Sequence, residues 1–504
     1  MIIPIRALRA GDEGRIDIGP IVSALSAHYM VVIASRQLVR RVRLDTFDRR
    51  LRRAGLTLEH QRTASGERVV VGRSDPVPTL VAPAKDLQWP AHADVLPAGP
   101  VREAIAGVAG IRALMVVSDE KRRMSLLELD NKDAKTVVRV ELDEPVSAGA
   151  GPACLTVLTL RGYDEHGRRA ERILIGLGLR AVEADEGRET VAGPPKLRVD
   201  RAVPASVLLT SALRDFSATM LTNLPGLLDD VDTEFLHDFR VAVRRTRSTL
   251  KLGRAALPEV MRTRWEPEFK WLGDLTTPVR DLDVYELALP TMEGWLMAAD
   301  AADLEPLSRF LRRRRTSERR SLVRGLRSAR FRRLVMEWEE QLTRLAETPE
   351  GTDGEHMSAA RLADRSLSLA YRRVLRGGAD ISDDSPAEDL HRLRRRCKEL
   401  RYALEVFAPV VDKGSRKRAV AQLKGLQDVL GRFQDTEVHR QALRGFAGEL
   451  IVEGAPAEAM LAMGELIGHL DSDQDRARRE FEGAFANFTR PSSQRLMHQI
   501  GGGR

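Results

Sequence analysis

Aromatic side chains are scarce in this 504-residue chain, at 5% of the residues, and there are only two cysteines, Cys154 and Cys397. The first scarcity leaves little material for stacking nucleobases. Two cysteines so far apart form neither a disulfide framework nor a zinc spacing, and a reducing cytoplasm is the expected compartment. No stretch reaches the roughly 18 uninterrupted apolar residues of a membrane span. Residues 1–34 hold apolar patches but lack the ordered basic, apolar and cleavage regions of a secretory leader, so no membrane partner is expected.

A strong excess of one charge is missing too. Lys and Arg number 81 against 73 Asp and Glu, a formal net charge of +8. Residues 1–200 carry 31 basic and 27 acidic side chains and residues 201–504 carry 50 and 46, so each part is +4 by subtraction. An electrostatic function must therefore lie in where the charges sit, because a compensated total can hide a one-signed groove. The length exceeds a single hydrophobic core, and a 43% apolar fraction can fill two or three.

Hydropathy divides the chain. Between about residues 29 and 180 the pattern is mostly period two, with runs at 29–33, 69–71, 137–142 and 155–160 that read as strands. Residues 171–179 read as a late strand of the same series. Two short helices interrupt them, at 47–54 with Gly55 as a left-handed cap and at about 101–108. Beyond about residue 204 apolar residues recur every three or four positions, the mark of amphipathic helices. The fold class expected is α+β multidomain: a strand-rich domain at 1–185, a linker at 186–203 containing Gly193, Pro194 and Pro195, and a helical domain at 204–495.

The helical part repeats itself. His237 and His391 lie 154 residues apart, and the same offset pairs Arg240 with Arg394, Arg244 with Lys398 and Arg247 with Arg401. It also pairs Arg262 with Arg416, Arg264 with Arg418, Lys270 with Lys424 and Asp281 with Asp435. One gapless register explains all of them, so two copies are expected at about 204–345 and 358–495. Leu236, Phe239, Val243, Thr246 and Leu250, with Leu390, Leu393, Cys397, Leu400, Leu404 and Phe407, follow a helix seam and should face the core. His237, Arg240, Arg244, Arg247, Lys251 and Arg254 sit one residue later, as do His391, Arg394, Lys398 and Arg401. That is about 100° around the helix, on the flank of the packed interface where two helices make a groove.

Like charges three or four residues apart cost an isolated helix roughly 0.2 to 0.5 kcal/mol per contact. Asp238 is the only acid between 236 and 256, so relief must come from outside the helix. From His237 to Arg254 the stripe covers about 26 Å of helix, which suits a chain of charges better than one small ion. Arginine binds phosphate oxygens through two parallel hydrogen bonds and lysine acts as a point charge. The plain alternative is pairing with carboxylates of the next helix, such as Asp281 and Asp283 or their counterparts Asp435 and Glu437. The histidines either cap their helices or protonate when an anion binds, with affinity rising on acidification. A further basic helix, Arg312 to Arg315 with Arg319, Arg320, Arg324, Arg327 and Arg330, includes ordinary solvated surface.

Read in order, His237, Arg240, Arg244, Arg245 and Arg247, then Trp271 and Gly273, then Arg280, Asp281 and Asp283 resemble the CHAD family of histidine-bearing α-helical domains. The second copy repeats the likeness through Leu390, His391 and Arg394, Lys398, Arg401 and Tyr402, and Leu430, Gly431 and Asp435, over roughly 205–490 in all. The resemblance implies a pseudo-twofold all-α bundle that binds inorganic polyphosphate and is associated with polyphosphate granules. The binding residues it implies are His237, Arg240, Arg244, Arg247, Arg262, Arg264 and Lys270, with His391, Arg394, Lys398, Arg401, Arg416, Arg418 and Lys424; the stripe itself adds Lys251. Residues 42–47, 51–58, 110–113, 121–123 and 138–143 make the N-terminal region look like a CYTH, or triphosphate tunnel, domain, which implies an antiparallel strand tunnel. The Glu-x-Glu-x-Lys signature of that family is absent near the start, so a degenerate tunnel without hydrolytic activity, metal or cofactor is expected.

Three rival readings stay open. Arg112, Arg123, Arg139, Glu141 and Asp143 are the residues of a metal-dependent triphosphatase, although two acids on one strand face make a poor oxygen-coordinated site. A nucleic-acid backbone fits a basic groove, but the stripes lack aromatic platforms. A scaffold would dock a protein partner on the N-terminal domain.

Overall fold

The structure, a computed structural model, describes residues 3–9, 17–73, 80–146, 153–181, 201–347, 357–382 and 384–500. The chain divides into two compact units, Met1–Pro194 and Pro195–Arg504. Positions 186–200 of the expected linker lie outside the described residues.

The first unit runs β1 (Ile3–Arg9), α1 (Ile18–Ser26), β2 (Met30–Thr46), α2 (Arg50–Arg53), β3 (Leu56–Thr63), β4 (Gly66–Arg73), β5 (Leu80–Ala84) and α3 (Pro100–Ala109). It continues with β6 (Leu114–Asp130), β7 (Thr136–Pro145), β8 (Cys154–Thr159), α4 (Asp164–Gly176) and β9 (Arg180–Ala181). The strands form one sheet in the order β5-β4-β3-β2-β6-β7-β8-β1-β9, with every pair antiparallel. Alternation along the strands sends Val138, Val140 and Leu142 into a core with Ile21 and Leu25 of α1 and Ala170 and Leu174 of α4. Val42, Leu44, Leu58 and Val69 pack instead with Leu51 of α2 and Val101 and Ile105 of α3.

Two local readings change here. Residues 171–179, expected as a strand, belong mostly to α4. Asp164 and Glu165 in its first turn favour the positive end of the helix dipole, and Gly167, Ala170 and Leu174 bury one stripe at three- and four-residue spacing. The alternation of Ile173, Ile175 and Leu177 mimicked a strand, yet Ile175 is 43% exposed. β1 was not anticipated; it lies ahead of the stretch read as strands, and it forms by pairing with β8 some 150 residues later. Gly55 does take the left-handed conformation, at φ 70°. α2 is shorter than expected because Asp45 and Thr46 accept the backbone N–H groups of Leu51 and Arg50 and hold the preceding residues in a turn.

The second unit consists of α5 (Ala205–Asp229), α6 (Thr233–Leu252), α7 (Glu259–Glu293), α8 (Glu305–Leu326), α9 (Ala329–Glu347), α10 (Ala359–Ala379), α11 (Ala387–Val406), α12 (Lys413–Val452), α13 (Ala457–Phe488) and α14 (Pro491–Ile500). Adding 154 carries the first residues of α5, α6 and α7 onto those of α10, α11 and α12. Later the copies diverge, since the first breaks between α8 and α9 near Ser328 while α13 runs on to Phe488. Asp232 caps α6 through the N–H groups of Glu234 and Phe235, and Asp412 caps α12 through that of Ser415. Ala205 N donates to Met357 O at 2.9 Å and Ala359 N to Val203 O at 2.7 Å. Each bond is the other displaced by 154, so the copies face one another across a pseudo-twofold axis. Tyr285 and His439, another matched pair, meet with ring centroids 4.9 Å apart. All the seam residues named above are buried, none more than 5% exposed.

Candidate anion groove

Helices α6 and α11 touch through two ion pairs, Arg245 with Glu405 at 3.0 Å and Lys251 with Glu399 at 2.6 Å. Arg245 matches Glu399 and Lys251 matches Glu405 at the offset of 154, so the two pairs are symmetry mates with their charges exchanged. Rising numbers on α6 meet falling numbers on α11, so the two helices run in opposite directions. Where they meet, the Arg244 guanidinium lies over the Tyr402 ring at 5.5 Å.

The flank of α6 is set by its contact with α7. Arg240 Nη1 donates to Gly273 O at 3.2 Å and to the hydroxyls of Thr276 and Thr277 at 2.8 and 2.9 Å. Those three acceptors are neutral and hold the guanidinium in place without cancelling its charge. Gly273 lets the arginines approach closely, since a Cβ there would sit 3.2 Å from Arg247 Nη1 and push its side chain aside slightly. In the second copy the match of Gly273 is Gln427, whose side chain accepts from Arg401 at 3.3 Å. Asp281 faces Arg240 and Arg280; burial raises its pKa against the pull of those two cations. Its counterpart Asp435 pairs directly with Arg394 at 3.1 Å.

The remaining carboxylates of the plain alternative are committed elsewhere. Asp283 is fully buried against Arg315 of α8 at 2.6 Å, and Glu437 pairs with Arg440 of its own helix. Arg244, Arg247 and Lys398 have no carboxylate at ion-pair distance among the described residues. Arg401 shares Glu405 with Arg245. Burial, then Arg394 and Arg244, with Asp435 opposing, push Lys398 from 10.5 down to about 8. His237 is also held low, first by burial and then by Arg280. The Nε2 atom of His391 is buried with no hydrogen-bond partner among the described residues.

The structure brings Arg244 on α6 near Lys398 and Tyr402 on α11; from that contact His237 and Arg240 extend along α6, and His391 and Arg394 along α11, in opposite directions. It separates some of the other expected binders. Lys251 is taken by Glu399. Arg262 is bracketed on its own helix by Glu259 and Glu266, while Arg416 keeps a buried Nε without a partner among the described residues. Arg264 lies about 180° around α7 from Gly273. It accordingly pairs with Glu337 of α9 at 2.6 Å and lies over Trp265. Lys270 meets Asp274 at 2.8 Å in the open, and Arg418 and Lys424 are exposed. Sequence reasoning passed over Arg280, Thr276, Thr277 and Tyr402 as neighbours of the two cationic rows. The charge exchange between positions 245 and 399 was the available signal that α6 and α11 touch.

The residues of the rival enzyme are bound up differently. Asp143 sits between Arg41, at 2.6 Å, and Arg122, and Arg139 pairs with Glu128 at 2.8 Å. Arg112 is 1% exposed, packed over Phe47. Burial raises the Glu141 pKa. A divalent metal at Glu141 and Asp143 would have to displace two guanidinium groups, so these residues do not fit one. Among the described residues no group of three or more His, Cys, Asp or Glu side chains is placed to hold a metal, and no helix is long and apolar enough to cross a membrane.

Residues 211–444 match the family model described as the CHAD domain. An uncharacterized protein of Mycobacterium tuberculosis is 28% identical over 262 residues, covering 49% of this chain and 47% of its own length. The chain thus spans about half the length of the curated relatives it matches. Among solved structures, the CHAD domain of Ricinus communis is 26% identical with a TM-score of 0.48, over 58% of this chain and 94% of that one. HpAC1 of Hippeastrum, described with a dominant triphosphatase activity, is 12% identical with a TM-score of 0.26, over 36% of this chain and 90% of its own. The stretch from 211 to 444, which contains both cationic rows and the contact between them, is a CHAD domain.

Proposed function

We propose that the chain binds inorganic polyphosphate as an extended polyanion along the α6 and α11 rows. One observation carries this reading. Six cations, Arg240, Arg244, Arg247, Arg394, Lys398 and Arg401, have Asp281, Asp435 and a shared Glu405 beside them, with Asp283 acting on Arg240 while bound to Arg315, so cations outnumber carboxylates along the two rows. Lys398, held down first by burial and then by Arg394 and Arg244, shows the repulsion among these cations that a bound polyanion would relieve. A phosphate chain supplies it, with arginines binding oxygens in pairs and Lys398 acting as a point charge.

Symmetry favours this polymer over nucleic acid. A pseudo-twofold groove reads the same from either end, as does a linear phosphate chain, whereas a nucleic-acid strand has direction. Among the described residues, Tyr402 against the rows is covered by Arg244 and Phe433 beside His391 is buried, so neither is an open stacking platform. Attachment to polyphosphate granules follows from the same binding, and the N-terminal sheet is then free to dock a protein partner.

Arg240→Glu combined with Arg394→Glu should abolish polyphosphate binding in titration calorimetry while circular dichroism remains helical. Retained affinity in the folded double variant would move the site elsewhere. RNA that displaces polyphosphate at lower phosphate-equivalent concentration would favour the nucleic-acid reading.

A further inference from the structure

Helix α8 sorts its arginines by direction. Arg315 turns inward to Asp283 and Asp230, Arg314 binds Glu449 at 2.6 Å and Arg313 binds Glu453. Arg320, Arg324 and Arg327 turn outward and are exposed. Beyond the break, Arg332 donates to the carbonyl of Arg327 at 3.0 Å, which lays its guanidinium against the end of the same row. None of these four has a carboxylate at ion-pair distance among the described residues. Arg320 and Arg324 of α8 and Arg327 at its C-terminal cap lie inside a sector of about 60°. Glu318, the one acid of α8 beyond Glu305, stands about 200° around from Arg320.

Two features set this ridge apart from an ordinary solvated face. First, Arg320, Arg324, Arg327 and Arg332 have no carboxylate at ion-pair distance among the described residues, whereas Arg313, Arg314 and Arg315 of α8 each have one. Second, the ridge belongs to one copy only. The offset of 154 places Gln474, Arg478 and Phe481 opposite Arg320, Arg324 and Arg327, and Arg478 is tied to the carbonyl of Ser385. The groove at the pseudo-twofold axis is shared by both copies, so a surface present in one copy is a separate acquisition. Arg320 to Arg324 and Arg324 to Arg327 are like-charge contacts that an isolated helix disfavours.

We propose that the outer arginine ridge of α8 and the start of α9, Arg320, Arg324, Arg327 and Arg332, is a second contact for the phosphate polymer bound in the groove, so that one long chain joins several copies of this protein. This rests on the polyphosphate reading of the groove. A short chain occupies the groove and stops there. A long chain leaves the groove with unpaired charge, and the ridge of a neighbouring copy captures it. A protein with one site only decorates a chain, whereas a protein with two cross-links chains into a network.

The test uses the full chain, short-chain and long-chain polyphosphate, calorimetry and light scattering. In the variant Arg320→Gln, Arg324→Gln, Arg327→Gln, Arg332→Gln, short-chain affinity should stay within about twofold of wild type, because the variant leaves the α6 and α11 rows unchanged and salt screens exposed charges. Large scattering particles, formed by wild type with long chains, should be lost. A control carrying Arg161→Gln, Arg168→Gln, Arg172→Gln and Arg180→Gln removes the same net charge from exposed positions of the N-terminal unit and should scatter like wild type. Undiminished particles in the ridge variant, or equal loss in the control, overturn the inference. Sedimentation of wild type with anionic vesicles, lost in the ridge variant while long-chain particles persist, also overturns it and assigns the ridge to a membrane. Failure of wild type to bind short chains strikes at the groove instead.

Discussion

Raising the pH should weaken polyphosphate binding through one side chain, Lys398. In the free protein its ammonium is half-buried beside Arg394 of its own helix and Arg244 of α6, with Asp435 of α12 as the opposing charge, and the burial and then the two arginines push it from 10.5 down to about 8. A polyanion laid across it favours the charged form and carries the pKa back toward the ordinary value. Binding therefore takes up a proton whenever Lys398 starts out neutral. Affinity is full below the free pKa and falls as pH rises through it, by up to tenfold per unit, or about 1.4 kcal/mol, until the bound pKa is reached. From about pH 7 to about pH 9 the loss is roughly tenfold, and near pH 8 the uptake is about half a proton. Calorimetry in two buffers of different ionisation enthalpy measures that uptake directly. Lys398→Arg stays charged throughout and should remove both the slope and the uptake. A wild-type affinity that is flat over this range, or a Lys398→Arg variant with the wild-type slope, would refute the reasoning. The same depression has the opposite consequence for folding. Between about 8 and 10.5 the unfolded chain holds more protons at this site than the folded one, so the contribution of Lys398 to stability rises with pH across that window.

Two further outcomes follow from the carboxylates. Asp281→Asn with Asp435→Asn removes the charges that compete with phosphate for Arg240 and Arg394, and should tighten binding by roughly 0.5 to 1 kcal/mol in a low-salt titration; weaker binding would show that these acids position the arginines. Asp283→Ala leaves Arg315 buried with fewer partners, since Asp230 and Glu286 remain. It should lower unfolding stability by about 2 to 4 kcal/mol in urea denaturation with polyphosphate affinity of the folded protein unchanged; a neutral variant would show that Arg315 relaxes onto Asp230.

Much of the helical unit was legible in the chain itself. A seam of Leu236, Phe239, Val243 and Leu250 has a spacing that no strand can use, and a gapless offset of 154 is visible in letters because both copies must pack the same way. The basic residues one position later were legible as a flank for the same reason. The sheet was less so. β1 exists only through its partner β8, and α4 carries an alternation that its burial does not follow, because Asp164, Glu165 and the stripe through Ala170 and Leu174 outweigh it.

What the sequence by itself determined is the local part: which residues face the core, that the unit is doubled, and that cations outnumber acids along one flank of α6. Only the tertiary structure decided which acids reach those cations. Asp283 and Glu437 could have served the rows as well as Asp281 and Asp435 by spacing, yet Arg315 and Arg440 claim them. It also decided that Lys251 is spent on Glu399, that Arg264 turns to α9, and that Arg244 and Lys398 share one neighbourhood. The physical reason is range. Helical periodicity acts over a few residues and is written in consecutive letters, whereas a charge is neutralised or left bare by whatever lies within a few ångströms in space, and that is settled only when α6 and α11 meet across the axis.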